Sequence, residues 1–263
     1  MTTATPDPAV VLVDHPAEHV TRVTLNRPEA RNAVNGAVAG ALGRALDAVE
    51  ADADAWVAIL RGAAGVFCSG ADLKAIAAGQ GDSLYSRERG FAGFTHAPRT
   101  KPWIAATEGP VLAGGLELAL ACDFIVASET CSFGVPEVLR GLIAGAGGVY
   151  RLPRSIPRAI AFEMIATGQP IDAARALHFG LVNRVVPARA VDAEALALAE
   201  AITRAAPEAV RESLKLARAA SDVSDDELWH RSFEANLALM DTEDYVEGPR
   251  AFIDKRAPKW TGR

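Results

Sequence analysis

The feature that most constrains the fold is a change of pattern along the chain. Through the first two-thirds, short β-rich runs alternate with helical stretches; from "VDAEALALAEAITRAAP" onward only helical patterns remain. "AVVLVD" and "VTRVTLN" flank "HPAEH" and read as a hairpin. "WVAILRG", "PWIAAT" and "DFIVAS" read as strands, and "GVFCSGADLKAIAAG" as a short strand, a Gly turn and a helix start. Strands alternating with helices imply an α/β architecture. Asn35 is placed to cap a helix over "GAVAGALGRALDAVEAD", with Val38, Leu42, Leu46 and Val49 on one face. "GQGDS" interrupts the pattern and predicts a mobile surface loop. Near the end, "SDDE" is a capping box before "LWHRSFEANLALM". Trp229, Phe233, Leu237 and Met240 form a helical stripe there, read as core or subunit contact rather than a cofactor box.

With 263 residues, the chain can form one large domain, or one domain with a smaller appendage. The reading divides it into a core over 1–200 and a helical region over 201–263. A net charge of −6 with only five lysines and no basic block argues against nucleic acid or a membrane surface as partner. Cys68, Cys122 and Cys131 are too few and too scattered for a disulfide framework, so a reducing, cytoplasmic setting is expected. The N-terminal segment lacks the basic start and apolar stretch of a leader, and no apolar window reaches the length of a membrane span.

One stretch points to chemistry. "GPVLAGGLELALACD" is apolar from Gly109 to Ala121 except for Glu117, and a buried carboxylate is costly. Gly114-Gly115 lies where a strand gives way to a helix. Unpartnered N–H groups and the positive end of the helix dipole favour an anion there. Glu117 sits about one turn further in. The dipole favours its ionised form by ~0.3–1 kcal/mol. Full burial raises a carboxyl pKa by ~3–5, at about 1.4 kcal/mol each. In a dry site burial therefore wins and poises the group for proton transfer near neutral pH. A glutamate that only salt-bridges an arginine at the sheet edge remains the alternative.

Two further stretches bear on that choice. "FGVPEVLRGLIAGAGG" carries Glu137 among apolar neighbours, with a strand between it and Glu117. Two neighbouring carboxyls can divide acid and base work. "CSGADLK" places Asp72 to cap a helix and leaves the Ala71 N–H facing outward, able to pair with that of Gly114 about one oxygen. A plain turn is the alternative reading of that segment.

"LNRPEARNAV", "FCSGADLK", "AGGLELALACD", "FGVPEVLRGLIAGAGG", "RLPR", "GLVNRVVP" and "TEDYVEGPRAFIDKRAPKW" together resemble the enoyl-CoA hydratase/isomerase family, the crotonase superfamily, nearly end to end. The resemblance implies a ClpP/crotonase-like spiral of ββα units with a C-terminal helical trimerisation region, and a homotrimer or a dimer of trimers. It places the oxyanion-hole amides on Ala71 and Gly114 and the catalytic glutamates on Glu117 and Glu137. It puts Arg27, Ala71, Asp72, Leu73, Lys74, Gly114, Gly145 and Lys255 at the acyl-CoA site. Gly145 there supports the second glutamate through its backbone, and Lys255, with Lys259, approaches the CoA phosphates. No metal and no cofactor are implied, since coenzyme A is part of the substrate. Two positions depart from the family pattern: Ala113 stands where many members have a third glycine, and Ala144 where many have proline.

The resemblance implies an enoyl-CoA hydratase, adding water reversibly and syn across a trans-2-enoyl-CoA. A Δ3,Δ2-enoyl-CoA isomerase, another CoA-thioester crotonase such as a carnitinyl-CoA dehydratase, and a non-catalytic acyl-CoA-binding protein are the alternatives. A Cys or Ser hydrolase is disfavoured by the absence of a GxSxG elbow. The five histidines make no convincing metal set, and "GAGGVY" fails the dinucleotide pattern at Tyr150.

Overall fold

The structure, a computed structural model, describes residues 9–263; the reading of the extreme N-terminus as lacking a leader falls in part on residues 1–8, outside the described residues. The chain opens with the expected hairpin, β1 (Val11–Ala17) and β2 (Val20–Leu25). Its turn is tighter than "HPAEH" implied, with His19 at φ 61. Helix α1 (Gly36–Ala51) follows. The Asn35 side chain accepts from the Val38 N–H, and Val38, Leu42, Leu46 and Val49 are buried, as the spacing predicts. At its other end the buried Lys101 ammonium donates to the Val49 and Asp52 carbonyls. It satisfies acceptors that a helix C-terminus leaves open and sits where its charge is favoured.

Strand β3 (Val57–Gly62) then enters the sheet. No continuous strand forms over "GVFCSG". Only single bridges tie Cys68 to Val111 and Ala71 to Val34, because this stretch is pinned at separate points, by Phe67 N–H to Glu108 and by Asn32 to Val66. Helix α2 (Leu73–Ala77) is capped by Asp72, which accepts from the Lys74 and Ala75 N–H groups. The loop expected at "GQGDS" is instead a 3-10 turn over Gly81–Leu84, with Leu84 fully buried, leading into a two-stranded hairpin of β4 (Tyr85–Ser86) and β5 (Gly90–Phe91). Burial of one leucine anchors a segment whose polar composition hid it.

The next turns repeat one plan. Strand β6 (Trp103–Thr107), strand β7 (Pro110–Leu112) and helix α3 (Gly114–Ala121) form one unit. Strand β8 (Phe124–Ser128), strand β9 (Ser132–Gly134), a 3-10 turn over Pro136–Arg140 and helix α4 (Gly148–Ser155) form the next. Helix α5 (Arg158–Thr167), strand β10 (Ile171–Asp172), helix α6 (Ala173–His178) and strand β11 (Arg184–Val186) close the spiral. Each repeating unit gives one strand to each of two sheets. The larger runs β1-β2-β3-β6-β8-β11, parallel from β2 onward; the smaller runs β10-β9-β7, with β7 and β9 parallel.

Alternation along β3 sends Ala58 and Leu60 to the main core and Val57 and Ile59 to the opposite face. Helix α7 (Val191–Thr203) covers that opposite face with Val191, Ala195 and Ala199. The boundary drawn at residue 200 thus falls inside a helix packed on the sheet. Helices α8 (Pro207–Ala219), α9 (Asp225–Met240) and α10 (Glu243–Ile253) follow. Ser224 caps α9 as expected. Trp229, Phe233, Leu237 and Met240 are all exposed, which removes the core reading of that stripe. Among the described residues no helix is long and apolar enough to cross a membrane.

Candidate active site

The site forms where two turns of the spiral meet. Gly70, at φ +93, lies directly against the Ala113–Gly114 peptide: a β-carbon at 70 would fall 3.1 Å from the Gly114 nitrogen and 2.9 Å from the Ala113 β-carbon. At Gly115 a β-carbon would meet the Cys68 carbonyl oxygen at 2.0 Å, so only glycine lets α3 seat on this segment. The Ala71 and Gly114 N–H groups therefore stand close together. Among the described residues neither has a hydrogen-bond partner. Gly114 opens α3, where an N–H has no intrahelical acceptor. Ala113 holds φ 53, ψ −131, a conformation that side chains disfavour. The position where many family members carry glycine thus keeps a glycine-like backbone.

Glu117 projects from the first turn of α3 and is only 2% exposed. Its Oε1 accepts the Gly148 N–H at 2.9 Å, at the start of α4. Burial pushes its pKa up to about 7. The amides of Gly148 and Ala146 and the Arg151 guanidinium oppose that rise, while the Glu137 charge adds to it. Burial outweighs the hydrogen bonds and positive charge that oppose it, and the reading of Glu117 as a sheet-edge ion pair with an arginine does not hold: its hydrogen bond comes from a backbone amide. Arg151 is itself fixed by the Ala146 and Thr95 carbonyls.

Glu137 lies in the first turn of the 3-10 segment over Pro136–Arg140. Its Oε2 is buried and has no hydrogen-bond partner. Burial also raises its pKa, against its own N–H and Arg140. The Glu137 charge reaches Glu117 across the segments that carry them and adds to its rise. Gly145 does not support Glu137: its N–H donates to the Ile143 carbonyl at 2.8 Å. This corrects the expectation for Gly145. The backbone amide that does hold a glutamate belongs to Gly148, and it holds Glu117.

Tyr85 went unnoticed in the sequence. Its ring lies 5.1 Å from that of Phe91, and Phe91 in turn packs where a Gly114 β-carbon would be, within 2.5 Å. Burial pushes the Tyr85 phenol up to about 12, with the charges of Glu117 and Glu137 adding to the rise. The only sequence signal was an aromatic residue inside a polar stretch.

The other expected site residues divide into two groups. Arg27 and Asp72 pair at 2.6 Å, and Arg27 also donates to the Ala33 carbonyl, so both brace the Ala71 turn. The Arg27 guanidinium holds the Asp72 carboxyl below its ordinary pKa. Leu73 and Lys74 point outward from α2. Lys255 lies in the turn after α10, exposed, and among the described residues no hydrogen bond or ion pair links its side chain to this cluster. Burial lifts the Cys68 thiol to about 12, which leaves it no thiolate for nucleophilic work.

Two free amides beside a pair of proton-holding carboxyls make a site of one kind: it can hold negative charge on a substrate oxygen and pass protons at neighbouring atoms. The Enoyl-CoA hydratase/isomerase family model matches residues 16–263. Carnitinyl-CoA dehydratase from Salmonella typhi is 40% identical over 257 residues, covering 93% of this chain and 98% of that protein. The protein of the same description from Proteus mirabilis (strain HI4320) is 39% identical over 250 residues, covering 93% and 95%. Among solved structures, enoyl-CoA hydratase from Mycobacterium tuberculosis H37Rv matches with a TM-score of 0.93 at 44% identity, over 97% of this chain and 100% of that one. Carnitinyl-CoA hydratase from Mycobacterium avium matches at 0.78 and 45%, over 98% and 100%. The chain belongs to the enoyl-CoA hydratase/isomerase family of the crotonase superfamily, and its spiral is the crotonase fold.

Proposed function

We propose that this protein is a hydro-lyase acting on coenzyme A thioesters, interconverting a trans-2-enoyl-CoA and its 3-hydroxyacyl-CoA. The observation that carries the reading is the pairing of buried Glu117 with half-buried Glu137, both raised in pKa by burial, beside the Ala71 and Gly114 amides, which have no partner among the described residues. The thioester oxygen accepts from these two N–H groups, which stabilise the enolate as charge moves onto oxygen. Glu117 takes a proton from water as the C3–O bond forms. Glu137 gives a proton to C2 as the enolate collapses. Hydration thus starts with the pair holding one proton, on Glu137, and ends with one proton, on Glu117. Both the oxyanion donors and the proton carriers are groups of this chain, so the proposed chemistry asks for no cofactor beyond the substrate's own CoA. We assign Leu73 and Lys74, exposed on α2 just after Ala71, to the CoA moiety, and Arg27 and Asp72 to holding that turn.

An isomerase moves a proton between carbons and has no use for a second group that activates water, so the Glu117–Glu137 pair favours the hydro-lyase. For the acyl group, the carnitinyl-CoA dehydratase relatives support carnitinyl-CoA as a substrate alongside simple enoyl chains. The exposed apolar stripe of α9, with Phe252 and Ile253 beyond it, supports a homotrimer or dimer of trimers. Three free cysteines support a reducing, cytoplasmic setting.

The test follows the ultraviolet band of the enoyl thioester, lost from 2-enoyl-CoAs and gained from 3-hydroxyacyl-CoAs, carnitinyl-CoA among them. Glu117→Gln is expected to abolish both directions while binding CoA thioesters as before. Full turnover by that variant would overturn the assignment.

A further inference from the structure

The hydration scheme needs the Glu117 carboxyl held in one orientation, and the Gly148 amide does this. That amide belongs to the turn Ala146–Gly147–Gly148, which is buried and leads into α4. Arg151, one helical turn further on, reaches back to it. Its Nη1 donates to the Ala146 carbonyl at 3.1 Å and its Nη2 to the Thr95 carbonyl at 2.5 Å. Its own N–H donates to the Gly147 carbonyl at 2.8 Å. Gly147 holds φ +130, and a β-carbon there would fall 2.0 Å from Arg151 Nη1. Glycine thus supplies both the backbone angle and the room for the guanidinium to lie against the turn.

Thr95, at the other end of the fork, is buried and tied twice to Phe91. The Phe91 N–H donates to Thr95 Oγ1 at 2.9 Å, and the Thr95 N–H to the Phe91 carbonyl at 3.1 Å. The Phe91 ring packs against the start of α3, within 2.5 Å of where a Gly114 β-carbon would stand. Helix α3 carries both the Gly114 amide and Glu117. One guanidinium therefore joins the turn that aims the carboxyl to the wall behind the helix that bears it. A planar fork fixes the separation and angle of two acceptors, which a compact ammonium does not.

We propose that Arg151 is a positioning residue for the reaction: by bridging the Ala146 and Thr95 carbonyls it keeps the Gly148 amide on Glu117, and so sets the direction from which Glu117 exchanges its proton with the oxygen at C3. The inference rests on the hydro-lyase reading above. Arg151 transfers no proton itself. Without the fork the turn is released from the Thr95 segment, and the carboxyl loses its fixed donor. Small misplacements of a reacting group cost rate steeply. The Ala71 turn and α2, assigned above to CoA, make no bond to Arg151, so the loss falls on the chemical step and spares binding.

Arg151→Met keeps an unbranched stem and removes fork and charge; Arg151→Lys keeps the charge as a point donor. Wild type and both variants are assayed well below their Tm, each at its own pH optimum. In both directions kcat is expected to fall about tenfold in Arg151→Met and about fivefold in Arg151→Lys, with KM for the acyl-CoA unchanged. The pH profile separates this from a merely structural arginine. Of the titratable groups about Glu117, Glu137 raises its pKa, Arg151 lowers it, and the Tyr85 phenol stays neutral. The kcat/KM profile should therefore move to higher pH in Arg151→Met and stay in place in Arg151→Lys. A kcat for Arg151→Met within about twofold of wild type, a change confined to KM, or a profile that does not move overturns the role of Arg151 and leaves the hydro-lyase reading standing. Should Arg151→Met fail to fold, Arg151→Lys decides: a kcat within about twofold of wild type overturns the role of the fork. Wild-type protein that neither hydrates nor dehydrates any of these thioesters overturns the hydro-lyase reading, and this inference falls with it.

Discussion

Glu117 offers a test of the site that needs no substrate. In the unfolded chain its carboxyl titrates near 4.5; in the fold burial lifts it to about 7. A carboxyl whose pKa rises on folding binds its proton more tightly in the native state. Its contribution to stability is therefore whole below the unfolded value and is lost as pH rises towards the folded one. The loss from 4.5 to about 7 amounts to roughly 3 kcal/mol. The group is 2% exposed, so solvent does little to screen this. Glu117→Gln keeps an oxygen to accept the Gly148 N–H and removes the charge. The variant is expected to exceed wild type by about 1 kcal/mol at about pH 5 and by roughly 3 kcal/mol at about pH 8, with a plateau above that. Urea denaturation at fixed protein concentration across this range reads the difference directly; with a slope of about 3 kcal/mol/M the midpoint moves by about 1 M at the alkaline end. A difference that does not change with pH, or one that shrinks as pH rises, would refute the claim that Glu117 is held in a dry, proton-retaining site.

Water addition consumes no net proton, so both directions must respond to pH alike: kcat/KM is expected to be bell-shaped, with superimposable profiles for hydration and dehydration, because only the singly protonated Glu117–Glu137 pair is competent. Ala113→Gly releases a residue held at φ 53, ψ −131 and is expected to stabilise the protein by about 1 kcal/mol in the same urea assay, net of the greater freedom of glycine in the unfolded chain. Lys101→Ala strips the donor from the Val49 and Asp52 carbonyls and should cost about 1–3 kcal/mol by the same measure. Asp72→Ala loses both the cap of α2 and the Arg27 pair; a loss of about 1–2 kcal/mol and a raised KM for acyl-CoA are expected, since the Ala71 turn is braced by that pair.

Much of this protein follows from short-range rules. Asn35, Asp72 and Ser224 cap helices because a side-chain oxygen two or three residues from an open N–H reaches it whatever the rest of the fold does. Val38, Leu42, Leu46 and Val49 are buried because helical geometry alone puts them on one face. The alternation of strands and helices set the α/β class, and the apolar setting of Glu117 marked it before any contact was known. The tertiary structure decided what depends on distant partners. The amide that holds Glu117 comes from Gly148, 31 residues away, where the family resemblance implied Gly145 and the other glutamate. Tyr85 gains its place only because the β4–β5 hairpin lays Phe91 against α3, and Lys101 caps a helix that ended 50 positions earlier, at Ala51. The stripe on α9 reads the same in sequence whether it is core or surface, and only packing shows it bare. Periodicity tells a side chain which way to face; which remote segment meets it, and how much water that meeting removes, is set by the sum of neighbours the fold brings together, and that sum fixes the proton affinity of the two glutamates.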